Sequence, residues 1–135
     1  MLIVFVISLN VMFVIITASP VIVKWLPQQT IKTEGQPLVL SCQAEGLPLP
    51  NITWYINGHV IVHGDGRQFQ EQITSNGTFL SSKLSVAKVR YADRGQYSCV
   101  FSNYRGSVKS TGDVDVQGMY ILVNKLIPFS RACVR

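Results

Sequence analysis

Asp93-Arg94-Gly95-Gln96-Tyr97-Ser98-Cys99-Val100-Phe101-Ser102 decides the fold. Its side chains alternate, with Tyr97, Cys99 and Phe101 on one face and Gln96, Ser98, Val100 and Ser102 on the other, the period of a half-buried β-strand. Cys99 therefore points inward. Upstream, Leu38-Val39-Leu40-Ser41-Cys42-Gln43-Ala44 places Leu38, Leu40, Cys42 and Ala44 on one face by the same alternation, so Cys42 points inward too. Between these strands, Asn51-Ile52-Thr53-Trp54-Tyr55-Ile56-Asn57 groups Ile52, Trp54 and Ile56. Asn57-Gly58 then suits the positive φ of a tight hairpin. Asn76-Gly77 marks a second such turn before Thr78 to Val86, where Leu80, Leu84 and Val86 share a face. Short antiparallel strands, one buried Trp and a distant cysteine pair predict an all-β, two-sheet sandwich.

Outside this region the chain changes character. Residues 1–18 hold 15 apolar side chains and no charge, and Thr17-Ala18-Ser19-Pro20 follows as a small-residue, helix-hostile boundary. This is the pattern of a secretory signal peptide, with cleavage expected after Ala18, although no Lys or Arg precedes the apolar run. A retained signal anchor is the alternative, and it is disfavoured because a bilayer span needs about 20 apolar residues. Either reading exports the remainder. In an oxidising export pathway, two inward cysteines with no histidine at ligand spacing favour a disulfide over a metal site.

The whole chain has 135 residues, 12 Lys+Arg and 7 Asp+Glu, for a net charge of +5. That length excludes a large multidomain enzyme. The basic balance would suggest nucleic acid, yet residues 20–117 carry nine basic and seven acidic groups, and Lys125, Arg131 and Arg135 supply the rest. Removing residues 1–18 also lowers the apolar share from 47% to about 41%, an ordinary globular value. A near-neutral domain gives no ground for a nucleic-acid partner.

Residues 20–117 resemble the immunoglobulin superfamily, and more closely its intermediate, or I-set, domains. The resemblance is carried by Glu34-Gly35, by Cys42-Gln43-Ala44-Glu45-Gly46 leading to Pro48 and Pro50, and by Trp54 twelve residues after Cys42. Leu84, Val86 and Val89, the Asp93-x-Gly95-x-Tyr97-x-Cys99 run and the hairpin from Asn103 to Gly106 complete it. It implies a Greek-key sandwich with one inter-sheet disulfide between Cys42 and Cys99. Trp54, Leu84, Asp93, Gly95 and Tyr97 form its core signature. The Tyr97 hydroxyl is expected to return to upstream backbone as a tyrosine corner. Asp93 is expected to cap the preceding turn or to pair with Arg67 or Lys88. The resemblance implies protein binding rather than catalysis, with no cofactor.

Several residues invite a sharper reading. His59 and His63, if on one strand, lie about 13 Å apart, too far to chelate one ion, so no metal is expected. No Ser/His/Asp set can be assembled from two His in one short segment, so neither catalytic residues nor a small-molecule substrate is expected. Gly64-Asp65-Gly66-Arg67 reads as a flexible turn. Asn51-Ile52-Thr53 and Asn76-Gly77-Thr78 are N-glycosylation acceptors in accessible places. The surface most open to a partner is the outward side around Tyr55, Val100 and Ser102, with Tyr104 and Arg105 at the adjacent hairpin. Tyr and Arg there combine large contact area with directional donors. Val60-Ile61-Val62 is a second candidate, as an edge able to pair with another chain.

Residues 118–135 depart from the pattern and are expected to form a short, poorly ordered basic tail. Their apolar part is too short to span a bilayer, and Cys133 is available for an intermolecular disulfide. Together these features predict a secreted, glycosylated immunoglobulin-like module for cell adhesion or extracellular recognition. Its partner would be an extracellular or cell-surface protein, including a second copy of itself. The alternative is a truncated structural module of a larger matrix or adhesion protein.

Overall fold

The alternation of Val, Ile, Leu, Phe and Tyr with polar residues produces strands throughout, because branched and aromatic side chains pack well on a pleated, half-buried surface. The computed structural model describes residues 2–8, 11–62, 68–122 and 125–129, with side-chain surroundings for 16–62 and 68–118. In chain order the strands are β1 (Leu2–Ser8), β2 (Val11–Ile16), β3 (Ala18–Lys24), β4 (Gln29–Thr33), β5 (Leu38–Leu47) and β6 (Asn51–Ile56). They continue with β7 (His59–Val60), β8 (Phe69–Asn76), β9 (Phe79–Val86), β10 (Gly95–Asn103), β11 (Gly106–Leu122) and β12 (Lys125–Phe129). One sheet has the order β3-β5-β9-β8, and the facing sheet has the order β12-β11-β10-β6-β7 with β4 joined to β11. His63, the turn Gly64-Asp65-Gly66-Arg67 and Cys133 lie outside the described residues.

The inward sets are those that alternation predicts. Leu38, Leu40, Cys42 and Ala44 of β5 and Trp54 and Ile56 of β6 are buried, and Tyr97, Cys99 and Phe101 of β10 have no solvent exposure. Leu80, Leu84 and Val86 close the core from β9. A disulfide joins Cys42 to Cys99 across the two sheets, with their Cα atoms 6.7 Å apart. Trp54 stands directly opposite Cys99 in the β6–β10 ladder. Its indole N–H is satisfied inside the core by Ser82 Oγ at 2.9 Å, and Ser82 in turn donates to Glu71 Oε1 at 2.9 Å. A buried indole donor without such a partner would be costly.

The turns follow the sequence closely at one place and shift at another. Asn57-Gly58 is the two-residue loop between Ile56 and His59, with φ of 50° and 80°. At the second hairpin Asn76 is still paired with Phe79, so the loop is Gly77-Thr78 and Asn76 is the last strand residue. A glycine at the first loop position favours this one-residue displacement. Asp93 resolves to a cap: its Oδ2 accepts the Arg90 backbone N–H at 2.7 Å, closing the 3-10 turn Tyr91–Asp93. The cation beside it is Arg90, 3.9 Å away, rather than Lys88. Arg67 is among the residues not described. The Tyr97 hydroxyl donates to the Asp93 carbonyl. Gly95 opens β10 where a Cβ would lie 2.6 Å from the Asn57 side chain.

The first strand of the domain changes sheets. β3 pairs with β5 in one sheet, whereas β4 runs parallel to β11 in the other. The crossing at Leu26 to Gln28 is held by Leu26 N–H donating to Ser110 Oγ at 2.8 Å and by Asp113 N–H donating to the Gln28 carbonyl at 3.0 Å. Gly112 makes room for it: a Cβ there would sit 2.2 Å from the Pro27 carbonyl oxygen. Gly112→Ala is therefore expected to destabilise the domain by about 1–3 kcal/mol through forced backbone movement. Urea unfolding with an unchanged m-value would report it.

The terminal segments contain strands as well. Leu2–Ser8 and Val11–Ile16 pair antiparallel as a separate two-stranded sheet, consistent with the strand propensity of Val, Ile and Phe. Beyond Gln117, β11 continues to Leu122 and pairs with β12. Tyr120, Ile121 and Ile127 are strand formers, and Leu122 opposite Lys125 closes the ladder. Among the described residues no helix is long and apolar enough to cross a membrane.

Candidate protein-binding surface

The outward face of the sheet β11-β10-β6-β7 is built by the residues that alternate with the core. Register sets them in rows. Val60, Tyr55, Ser98 and Thr111 lie side by side across the four strands. The next row is Thr53, Val100 and Lys109, and the one after is Asn51, Ser102 and Ser107. Ile61 N–H donates to the Trp54 carbonyl at 2.9 Å and turns Ile61 toward the core, leaving Val60 and Val62 about half exposed. Tyr55 and Val100 are half-buried between these neighbours. Ser98 Oγ and Thr111 Oγ1 are 3.0 Å apart and satisfy each other, so this side of the patch presents little unmet polarity.

The four candidate contact residues separate into two places. Tyr55 and Val100 sit in the middle of the sheet, whereas Tyr104 and Arg105 form the β10–β11 turn, six strand positions or about 20 Å from the Tyr55 row. Tyr104 is 68% exposed, and Arg105 is half-buried with its backbone N–H on Asn103 Oδ1 at 2.9 Å. The Asn103 amide also donates to Ala18 O at 2.8 Å and Pro48 O at 3.0 Å. It thereby ties the start of β3, the β5–β6 loop and this turn into one end of the sandwich. Both glycan acceptors are at that same end: Asn51 is paired with Ser102, next to Asn103, and Asn76 closes the β8–β9 hairpin. Both are exposed.

Lys109 and Thr111 were missed as members of the face. Alternation along β11 would have found them, since Lys109 pairs with Val100 and Thr111 with Ser98.

A concavity of about 570 Å³ lies at the opposite end, lined by Gln29, Asn57, Tyr91, Arg94, Gln96 and Asp113 among others. The Arg94 guanidinium lies 4.1 Å from the Tyr91 ring centre, which turns that cation toward the aromatic face. The lining contains no Ser, Cys or His that could serve as a nucleophile and base pair. Among the described residues no group of three His, Cys, Asp or Glu side chains could hold a metal ion.

Two sheets of this strand order, with a disulfide between β5 and β10, a Trp beside it and a Tyr hydroxyl returned to backbone, define an immunoglobulin-type sandwich. A family model described as immunoglobulin domain matches residues 19–103, and the chain belongs to that family. It is 35% identical over 117 residues to vascular endothelial growth factor receptor 1 of Gallus gallus, covering 86% of this chain and 8% of that protein. It is 30% identical over 90 residues to the cell adhesion molecule DSCAM of Rattus norvegicus, covering 67% of this chain and 4% of that protein. The chain thus spans under a tenth of the length of these relatives. Among solved structures it is similar to a chimeric titin Z1Z2, with 31% identity and a TM-score of 0.63, over 76% of this chain and 98% of that one. The relatives named are a receptor and a cell adhesion molecule, and immunoglobulin domains are generally non-enzymatic.

Proposed function

We propose that this chain is an I-set-like immunoglobulin module of the extracellular space, exported through residues 1–18 and glycosylated, that binds another extracellular or cell-surface protein. The reading rests above all on one observation: the apolar patch of Val60, Val62, Tyr55 and Val100 on an otherwise Ser/Thr-rich sheet face. An apolar centre with a polar rim is the usual make-up of a protein contact. A glycan on Asn76 would crowd the end bearing Tyr104 and Arg105, whereas one on Asn51, which stands on the sheet face two rows from Tyr55, would confine the partner to the part of that face around Val60, Val62 and Tyr55. Relatives that are a receptor and a cell adhesion molecule support recognition as the activity.

The test is capture of extracellular proteins by the secreted chain, with crosslinks mapped. Val60→Glu with Val62→Glu is expected to weaken capture by about tenfold or more while leaving the Cys42–Cys99 disulfide formed. Unchanged capture, or crosslinks confined to the face of β3, β5, β9 and β8, would refute the assignment. A second reading, a module of a larger matrix or adhesion protein, is favoured by the small share of each relative that the chain covers. In either case the same face is the contact surface.

A further inference from the structure

The strands at the borders of the two sandwich sheets are not equally protected. Exposed strand edges invite pairing with another chain, and folded proteins blunt them with Pro, Lys, bulges or extreme shortness. β3 has Pro20, Lys24 and two register irregularities. β7 is only two residues long, β4 carries Lys32, and β12 carries Lys125 and Pro128. β8 has no Pro, Lys, bulge or shortening, and its one blunting device is the inward-facing Glu71. It pairs with β9 on one side without a break from Phe69 to Asn76, and its sequence Phe-Gln-Glu-Gln-Ile-Thr-Ser-Asn contains neither Pro nor Lys. Its single acid, Glu71, accepts a hydrogen bond from Ser82 Oγ. Gln70, Gln72, Thr74, Ser75 and Asn76 are exposed, and Ile73 is 52% exposed.

We propose that β8 is a self-pairing edge: two copies join antiparallel about Ile73, and a glycan on Asn76 opposes the pairing. The register carries the choice of a second copy as occupant. With Ile73 opposite Ile73 on the two-fold axis, Gln72 meets Thr74, Glu71 meets Ser75 and Gln70 meets Asn76. All side chains keep their faces, the exposed Ile is covered, and the two Glu71 carboxylates are never opposite each other. The contact is isologous and closes on itself, so it gives a dimer with one continuous eight-stranded sheet rather than a fibre. Asn76 is the last residue of the edge and shares the outward face with Gln72 and Thr74. A glycan there would occupy the space that Gln70 of the second copy must enter. The opposing role of the glycan rests on the glycosylation proposed above, whereas the pairing itself does not.

The full chain is secreted from animal cells as Cys133→Ser, which removes disulfide linkage as a route to dimers, and is compared with the added changes Thr78→Ala and Thr78→Ala/Ile73→Lys. Thr78 is exposed and its loss removes the acceptor motif while keeping Asn76. Sedimentation equilibrium up to about 100 μM, where weak dimers populate, is read beside the mass of the Asn76 peptide. Thr78→Ala is expected to self-associate at least about tenfold more tightly than its parent, and Ile73→Lys to return it to monomer. A monomeric Thr78→Ala protein, or a dimer that survives Ile73→Lys, overturns the edge pairing. A parent that lacks the glycan and dimerises overturns only the role of the glycan. A parent that lacks the glycan and stays monomeric overturns the edge pairing itself.

Discussion

Cys99→Ala is expected to abolish most secretion of the chain from animal cells and to leave the retained protein unfolded at physiological temperature. The disulfide closes a separation of 57 residues, which contributes about 4 kcal/mol through restriction of the unfolded chain. A domain of this size has a total stability of only about 5–15 kcal/mol. The substitution also leaves the Cys42 thiol in a site with no solvent exposure, between sheets that the bond had held together. Secretion measured against intracellular retention checks the first outcome. Urea unfolding of refolded protein checks the second. Undiminished secretion of a cooperatively folded variant would show that packing alone carries the domain.

Trp54→Ala is expected to cost about 3–5 kcal/mol, comparable to the loss of the disulfide, because it empties a large buried apolar volume. Trp54 is 3% exposed and has Cys99 as its cross-strand neighbour. Its removal also takes the indole donor from Ser82 Oγ, which has no solvent exposure. Trp54→Phe keeps most of the volume and loses only the donor, so its cost should fall to about 1–3 kcal/mol. The midpoint of denaturant unfolding distinguishes the two variants. Because Trp54 and Cys99 are directly opposed in the ladder, the combined Trp54→Ala/Cys99→Ala change should not equal the sum of the single effects. Additivity within a few tenths of a kcal/mol would indicate that the two do not share a packing unit.

How much was legible beforehand follows from how local each signal is. The period of two exposed the inward residues of β5, β6 and β10 correctly, and Asn57-Gly58 identified its turn, since both depend only on neighbours along the chain. Asn76-Gly77 misplaced the second loop by one residue because the choice between adjacent registers depends on the partner strand as well as on the glycine. The pairing of β11 beyond Gln117 escaped for a related reason: it needs β12, and a short apolar run says nothing by itself about its ladder. Nothing local marked Ser82 as the indole's acceptor. It required β9 and β6 to be brought face to face.

The candidate surface shows the same division. Alternation alone gave Tyr55 and Val100 an outward direction, but it could not say that Tyr104 and Arg105, about 20 Å from the Tyr55 row, share their end of the sandwich with both glycan acceptors. The sequence by itself determined the class of the protein: which side chains face inward, the two cysteines that can meet, and a near-neutral sandwich. Only the tertiary structure decided where Gly112 must yield to Pro27, which described strands form the borders of the sheets and how the outward residues group. Side-chain direction is set within two residues of the chain, whereas crossings, edges and patches are set by strands distant in sequence.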